Sequence, residues 1–245
     1  MCRLMGYVSD HSETISDIAG PAFTEFTALS AKHGDGWGIS SIDSASEATL
    51  ILEPGRAKES PLFAETSRSL ESDGALLHLR WATLGLAISE GNTHPFTFED
   101  MSFIHNGSIN PPHSLDKFID ADLIPEMRGE TDSEKYFFAI VTQVRKLGLR
   151  EGIVAAVRAI AAQDNYSSIN AMLLTPEYFF TICEHNDAKI PDDEGPGYYD
   201  LAYRADSKGI IAASSGWDQA GWTNIPNHQI LEVTRATLNT NLIAI

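Results

Sequence analysis

The chain has 245 residues, of which 43% are apolar and 21% charged, with a formal net charge of −17. That length and apolar share suit one domain over residues 1–245 with a substantial buried core, while the acidic balance argues against nucleic acid or an anionic membrane as partner, because the long-range field repels phosphate. The absence of any run of about eighteen apolar residues, or of a basic segment followed by an apolar one at the N-terminus, predicts a cytoplasmic protein.

In chain order, CRLMGYVS reads as a buried first strand, and it begins with a chemical peculiarity. Cys2 stands directly behind Met1, and the only other cysteine, Cys183, sits in the apolar stretch EYFFTICEH and reads as core. Two such cysteines make neither a disulfide framework nor a paired metal-ligand pattern. If Met1 is removed, as is usual before a small second residue, Cys2 carries both a thiol of pKa about 8.5 and an α-amine of pKa roughly 8, a nucleophile beside its own base. Position alone favours a small residue placed by chance on a first strand.

PAFTEFTALSAKHG reads as a helix closed by Gly34, with Phe23, Phe26 and Ser30 on one face. A turn and strand follow in DGWGISSI, then a strand in ATLILE, a helix in SPLFAETSRSL, a central strand in ALLHLRWA and another in MSFIHNG. In ETDSEKYFFAIVTQVRKLG, Thr131 caps a helix with Glu134 as its capping-box partner, and Phe137, Ile140, Val141, Val144 and Leu147 form the buried stripe. REGIVAAVRAIAAQ repeats that pattern through Ile153, Val157 and Ile160. The remainder is strand-like: INAMLLT, EYFFTICEH, YDLAYRA, GIIAASS and HQILEVT, which together predict hairpin-connected, mainly antiparallel sheets. NDAKIPDDEGPGYY, residues 186–199, reads as an exposed hairpin loop, and Trp217 and Trp222 read as packing over a core edge.

Polar clusters interrupt the apolar surroundings: HGDGWG at 33–38, HLRWAT at 78–83, NTHPF at 92–96, FIHNGSI at 103–109 and GETDSE at 129–134. With Cys2 ahead of them, these motifs resemble, in order, those of the class II glutamine amidotransferases of the N-terminal-nucleophile hydrolase superfamily, and particularly the stand-alone branch of that family. The resemblance covers Cys2 to Glu134, a little over half of the chain. It implies an α+β fold, a four-layer αββα sandwich of mainly antiparallel sheets, and no metal or organic cofactor.

By the same resemblance, Cys2 is the nucleophile and its amine the general base; Asn106 and Gly107 form the oxyanion hole. Arg80 grips the α-carboxylate of the glutamyl group, Asp132 binds its α-ammonium and Thr83 orients the same pocket. His33, in the HxDGWG match that ends with Asp35, Gly36, Trp37 and Gly38, contacts substrate or holds its loop. A planar guanidinium making two parallel hydrogen bonds suits the task given to Arg80. Each assignment has a plainer alternative: an end-of-strand charge for Arg80, a helix-dipole partner for Asp132, a turn signal for Asn106-Gly107. His78, His94 and His105 fall in separate motifs without the helical HxxxH or CxxC spacing of a zinc site.

The implied activity is hydrolysis of a γ-glutamyl amide through a thioester on the N-terminal cysteine, with glutamine or a γ-glutamyl amine or peptide as substrate. Related stand-alone proteins include γ-glutamyl hydrolases of thiol metabolism, such as ergothioneine-pathway amidases and a glutathione-degrading amidohydrolase. Two alternatives remain: a glutaminase subunit delivering ammonia to a separate synthase partner chain, and a catalytically silent glutamine-binding regulatory protein. A homodimer is the default expectation for oligomeric state. Near the C-terminus, SSGWD in ASSGWDQAGWTNIPNHQILEVTR departs from the family pattern, which leaves the leaving-group side of the site open.

Overall fold

A strand buried on both faces must place alternate side chains in two different cores, and this chain does so repeatedly. A computed structural model describes residues 1–43, 48–82 and 85–245. Among the described residues the strands are β1 (Arg3–Thr14), β2 (Gly36–Ser41), β3 (Thr49–Glu53), β4 (Glu71–Arg80), β5 (Phe96–Phe98), β6 (Met101–Ile109), β7 (Tyr166–Leu174), β8 (Tyr178–Cys183), β9 (Leu201–Asp206), β10 (Gly209–Ser214), β11 (Thr223–Ile225), β12 (Gln229–Thr234) and β13 (Asn239–Ala244). The helices are α1 (Ile15–Ala19), α2 (Pro21–Ala28), α3 (Pro61–Ser69), α4 (Asp132–Leu147) and α5 (Leu149–Ala161).

The strands form a seven-stranded sheet, β11-β9-β10-β1-β4-β2-β3, and a six-stranded sheet, β13-β12-β8-β7-β6-β5. Every recorded pairing is antiparallel. Three cores separate four layers. Leu4 and Val8 of β1, Leu76 of β4, Ile104 of β6, Met172 and Leu174 of β7 and Phe179 and Cys183 of β8 pack between the sheets. Met5, Tyr7, Leu77, Leu79 and Trp37 turn the other way, toward Ile15, Ile18, Phe26 and Phe63 of the α1–α3 layer. Phe103, Ile169, Leu173 and Phe180 meet Phe137, Ile140, Val141, Ile153, Val157 and Ile160 of α4 and α5. The expected αββα sandwich is the observed one, and Cys183 is fully buried in its centre.

Several local expectations are revised. The helix from Pro21 ends at Ala28 and passes through a 3-10 turn at Leu29–Ala31, so Gly34 does not close it; Gly34 instead accommodates the side chain of Arg56. Leu147 is 52% exposed and leaves the buried stripe, because α4 turns away at Gly148, whose φ of +86° starts α5. Thr131 does cap α4, accepting the Glu134 N–H at 3.1 Å. The Glu134 carboxylate, however, accepts from Arg128 N–H (2.7 Å) and Gly129 N–H (2.8 Å), in the segment ahead of the cap, rather than from Thr131. Residues 186–199 are not a hairpin loop, since β8 and β9 belong to different sheets; the segment passes from one sheet to the other and buries Tyr198 and Tyr199. The short α1, β5 and β11 and the last strand β13 were not expected. Trp217 and Trp222 pack edge to face, centroids 5.2 Å apart, against the α1–α3 core, as expected.

At one end of the sandwich Arg235, 5% exposed, ties the sheets together. It donates to the carbonyls of Thr175 and Ile42, both at 2.7 Å, and pairs with Asp73. Removing it leaves two carbonyls and a carboxylate without their donor, so Arg235→Met is expected to cost about 2–4 kcal/mol of stability. Urea unfolding checks this; a loss below about 1 kcal/mol, typical of exposed pairs, contradicts the buried-clamp reading.

Candidate active site

The opposite end of the sandwich is polar, and strand alternation decides what reaches it. Cys2 precedes β1 in phase with Leu4; His78 and Arg80 follow Leu76 on β4; Asn106 follows Ile104 on β6. All continue the rows that face between the sheets. The register pairs Arg3 with Leu79 and Leu4 with His78, which sets Cys2 beside the end of β4. One cavity of about 30 Å³ is lined there by Cys2, Arg80, Trp81, His105, Gly107 and Asp132, among others. Four of the predicted residues, Cys2, Arg80, Gly107 and Asp132, thus share one pocket.

The Cys2 thiol is held by the main chain of Trp81: the Trp81 N–H donates to Sγ at 3.4 Å, and Sγ–H donates to the Trp81 carbonyl at 3.6 Å. Burial raises the thiol pKa, while the Trp81 N–H, the nearby terminal amine and Arg80 pull it back toward the thiolate. Burial likewise lowers the pKa of the Met1 amine, with Arg3 and Lys32 acting in the same direction. That amine lies 3.4 Å from the Tyr198 hydroxyl.

Arg80 is 3% exposed, and its donors go to main-chain carbonyls, Ala87 at 3.2 Å and Asp35 at 3.5 Å. Among the described residues no carboxylate forms an ion pair with it. A buried guanidinium in that condition is costly unless an anion completes it. Asp132, at the first position of α4, accepts from Ile109 N–H (2.7 Å) with one oxygen and from Ser133 N–H (2.9 Å) with the other. Oδ1 also accepts from Ser133 Oγ at 3.5 Å, so the helix-dipole role and a second lone pair on Oδ2 are open to it.

Asn106 is 1% exposed, and both its Oδ1 and its Nδ2 are buried with no partner. Its amide has an unused donor and an unused acceptor, but Asn106 is not among the residues that line the pocket. Gly107 is required beside it, because a Cβ there would sit 1.7 Å from the Ser168 carbonyl oxygen. His33 is buried, its ring edge-on to Trp81 with centroids 5.5 Å apart, and it is not part of the pocket lining. Thr83 falls outside the described residues.

Histidines pack the floor of the site in their neutral form. His78 stacks on His94 with centroids 4.0 Å apart, and His105 contacts Ser133 Oγ through Nδ1 at 2.9 Å. Burial lowers the pKa of all three and of His33, to about 3 for His33 and His78. Among the described residues, no group of three or more His, Cys, Asp or Glu is arranged to hold a metal ion. Sequence reasoning missed the Trp81 main chain as cradle of the thiol; it missed Asp35, whose carboxylate accepts the Ala82 N–H at 2.8 Å; and it missed Tyr198. HLRWAT and HGDGWG signalled the first two only as motifs, because a main-chain contact leaves no side-chain signature.

Comparison with known proteins agrees with this geometry. Across its whole length the chain superposes on a glutamine aminotransferase class-II domain protein of Silicibacter pomeroyi, with TM-score 0.70, 15% identity and 99% of that chain covered. It also superposes on the glutamine phosphoribosylpyrophosphate amidotransferase of Bacillus subtilis, with TM-score 0.66, 17% identity and 49% of that chain covered. The shared architecture is the four-layer αββα sandwich. Residues 1–190 match the family model for class II glutamine amidotransferases, and the chain belongs to that family, whose common chemistry is hydrolysis of the glutamine amide.

Among curated proteins it is 29% identical over 167 residues to a glutamine–fructose-6-phosphate aminotransferase of Aliivibrio fischeri, covering 66% of this chain and 25% of that protein. It is 29% identical over 125 residues to a probable glutamine amidotransferase of Saccharomyces cerevisiae, covering 47% of this chain and 35% of that protein. The chain thus matches about a quarter to a third of the length of these relatives.

The buried neutral histidines give stability a pH dependence with a definite sign. Their folded pKa values lie below the unfolded value of about 6.5, so the unfolded state binds more protons between pH 6.5 and about 3. Stability is complete above pH 6.5 and falls as pH drops through that window, by up to about 1.4 kcal/mol per pH unit for each histidine. Thermal unfolding from pH 7.5 to 4.5 should show Tm falling below pH 6.5; a flat profile contradicts the neutral, buried assignment.

Proposed function

We propose that the protein is an amidohydrolase that cleaves γ-glutamyl amide bonds through a thioester on Cys2, after removal of Met1. The observation that carries this reading is a thiol and a buried, carboxylate-free arginine lining the same small pocket. Arg80 takes the α-carboxylate of the glutamyl group and Asp132 its α-ammonium, which requires a free glutamyl terminus. Thr83 completes the glutamyl side, and His33, behind the pocket, holds the HGDGWG loop.

The steps follow from these placements. The Cys2 α-amine accepts the thiol proton, and the thiolate attacks the γ-carbonyl carbon. Asn106 Nδ2 and the Gly107 N–H stabilise the oxyanion. Collapse breaks the C–N bond, and the leaving amine takes its proton from the Cys2 ammonium. The amine then deprotonates water, which attacks the thioester; glutamate leaves and the proton returns to sulfur. Burial, which lowers the pKa of the Met1 amine, would also favour the uncharged, proton-accepting form of an amine at Cys2. Residues 1–245 act as one domain in the cytoplasm, with a γ-glutamyl small molecule as partner and a homodimer as the simplest assembly.

A second reading has its own support. The matched glutamine–fructose-6-phosphate aminotransferase is several times longer than the aligned segment, as expected if such a domain can feed ammonia to a synthase. In that case a separate partner chain should raise glutaminase turnover severalfold.

Intact-mass spectrometry of purified protein, with and without the glutamine-like electrophile diazo-oxo-norleucine, tests the nucleophile. Loss of Met1 and a single adduct that disappears in Cys2→Ala is expected. Retained Met1 without an adduct contradicts the mechanism and favours a silent glutamine-binding protein. For turnover of glutamine, Asn106→Ala should lower kcat by about 100-fold or more with little change in KM. Arg80→Lys should raise KM by about tenfold or more, since an ammonium cannot reproduce the bidentate contact. Equal loss in kcat and KM for both variants would remove the assigned division of labour.

A further inference from the structure

Beside the nucleophile lies a second buried cation that glutamyl binding leaves unused. Arg3 is 4% exposed, and among the described residues no carboxylate forms an ion pair with it. Its Nη1 donates to the Cys2 carbonyl at 3.1 Å, the Tyr198 ring lies 5.2 Å from its guanidinium carbon, and its Nε is buried without a partner. Arg3 is outside the lining of the pocket that holds Arg80 and Asp132. One wall of its surroundings comes from the SSGWD segment: Ser215 Oγ donates to the Tyr198 carbonyl at 2.7 Å, and a Cβ on Gly216, at φ +107°, would stand 2.9 Å from Arg3 Nε. Met1 fills the adjoining space, with its amine at the Tyr198 hydroxyl and its Sδ 3.9 Å from Ser167 Oγ.

A guanidinium buried with an orphan N–H costs free energy that one carbonyl hydrogen bond does not offset. An arriving carboxylate would satisfy it. In a chain of net charge −17, two buried arginines without a carboxylate partner lie near a single thiol, and Arg3 alone of the two keeps an orphan N–H. A glutamyl group has only one α-carboxylate, and Arg80 takes it. We propose that Arg3, with Tyr198 and Ser167 around the space that Met1 occupies, is a second carboxylate receptor for the leaving group. The substrate class is then a γ-glutamyl amino acid or short γ-glutamyl peptide whose departing amine carries a free carboxylate, rather than glutamine or an uncharged γ-glutamyl amine. This rests on the thioester reading above, because Met1 must leave before the space can be used.

Calorimetric titration of the mature Cys2→Ala protein, which binds without turnover, separates the two. γ-Glutamylglycine should bind about tenfold or more tighter than γ-glutamylglycinamide, which differs only in its missing carboxylate charge. Arg3→Met on that background should bring the two affinities within about twofold, and Arg3→Lys should keep part of the difference. Equal affinities in the parent, or an Arg3→Met change that weakens both ligands alike, would overturn the proposal and leave Arg3 as a positioning residue for the Cys2 main chain. Absence of binding by either ligand overturns it as well. If Arg3→Met does not fold, the acid-to-amide ratio of kcat/KM in the wild-type enzyme decides. An electrophile adduct without acid preference sinks this inference alone, whereas retained Met1 without an adduct sinks the thioester reading and this inference with it.

Discussion

Two sheets packed face to face impose one constraint on everything else: each strand has one row of side chains that must be apolar where the sheets meet and can be polar only where that contact ends. Leu4, Leu76 and Ile104 occupy the contact. Cys2 and Asn106 are the next positions of the same rows, and Arg80 follows His78 on the row of Leu76. A one-residue slip in β1 or β4 would turn the thiol or the guanidinium into the helix-facing core, so register and chemistry are one requirement.

Because the site lies at the end of a packed core, its polar groups are desolvated before any ligand arrives. That explains why Arg80 carries no carboxylate partner, why both amide atoms of Asn106 lack partners and why four histidines are held neutral. Ordinary structural polar groups in this chain look different. Arg235, at the other end, satisfies two carbonyls and a carboxylate, and Glu232, 3% exposed, is met by Arg150 through two hydrogen bonds of 2.6 and 2.7 Å. Arg235 Nε is itself without a partner, so what sets the Cys2 end apart is the lack of a carboxylate paired with Arg3 or Arg80, not an orphan N–H.

The helical layers contribute less chemistry than support. α4 brings Asp132 to the pocket on its first turn, and Thr131 and Glu134 fix the chain ahead of it through main-chain N–H groups. Ser133 of the same turn holds His105, whose carbonyl accepts from His78 at 3.2 Å. The floor of the site is thereby coupled to both sheets. The segment 186–199 joins the two sheets and delivers Tyr198 to Met1 and Arg3, a placement that its acidic, Gly- and Pro-rich composition did not suggest.

The amino-acid sequence by itself determined the strands of the central sheets, the α4–α5 pair and the ordered motifs around Cys2, Arg80, Asn106, Gly107 and Asp132, because periodicity and local residue type are written in consecutive positions. It did not reveal the short edge strands β5 and β11, the last strand β13, the exposure of Leu147 or the crossover at 186–199, which depend on what lies across space. Only the tertiary structure decided that Trp81 cradles the thiol through its main chain, that Arg3 and Arg80 are both buried without an anion, and that His33 stands behind the pocket rather than in it. Burial and pairing are sums over neighbours distant in sequence, and no local pattern encodes them.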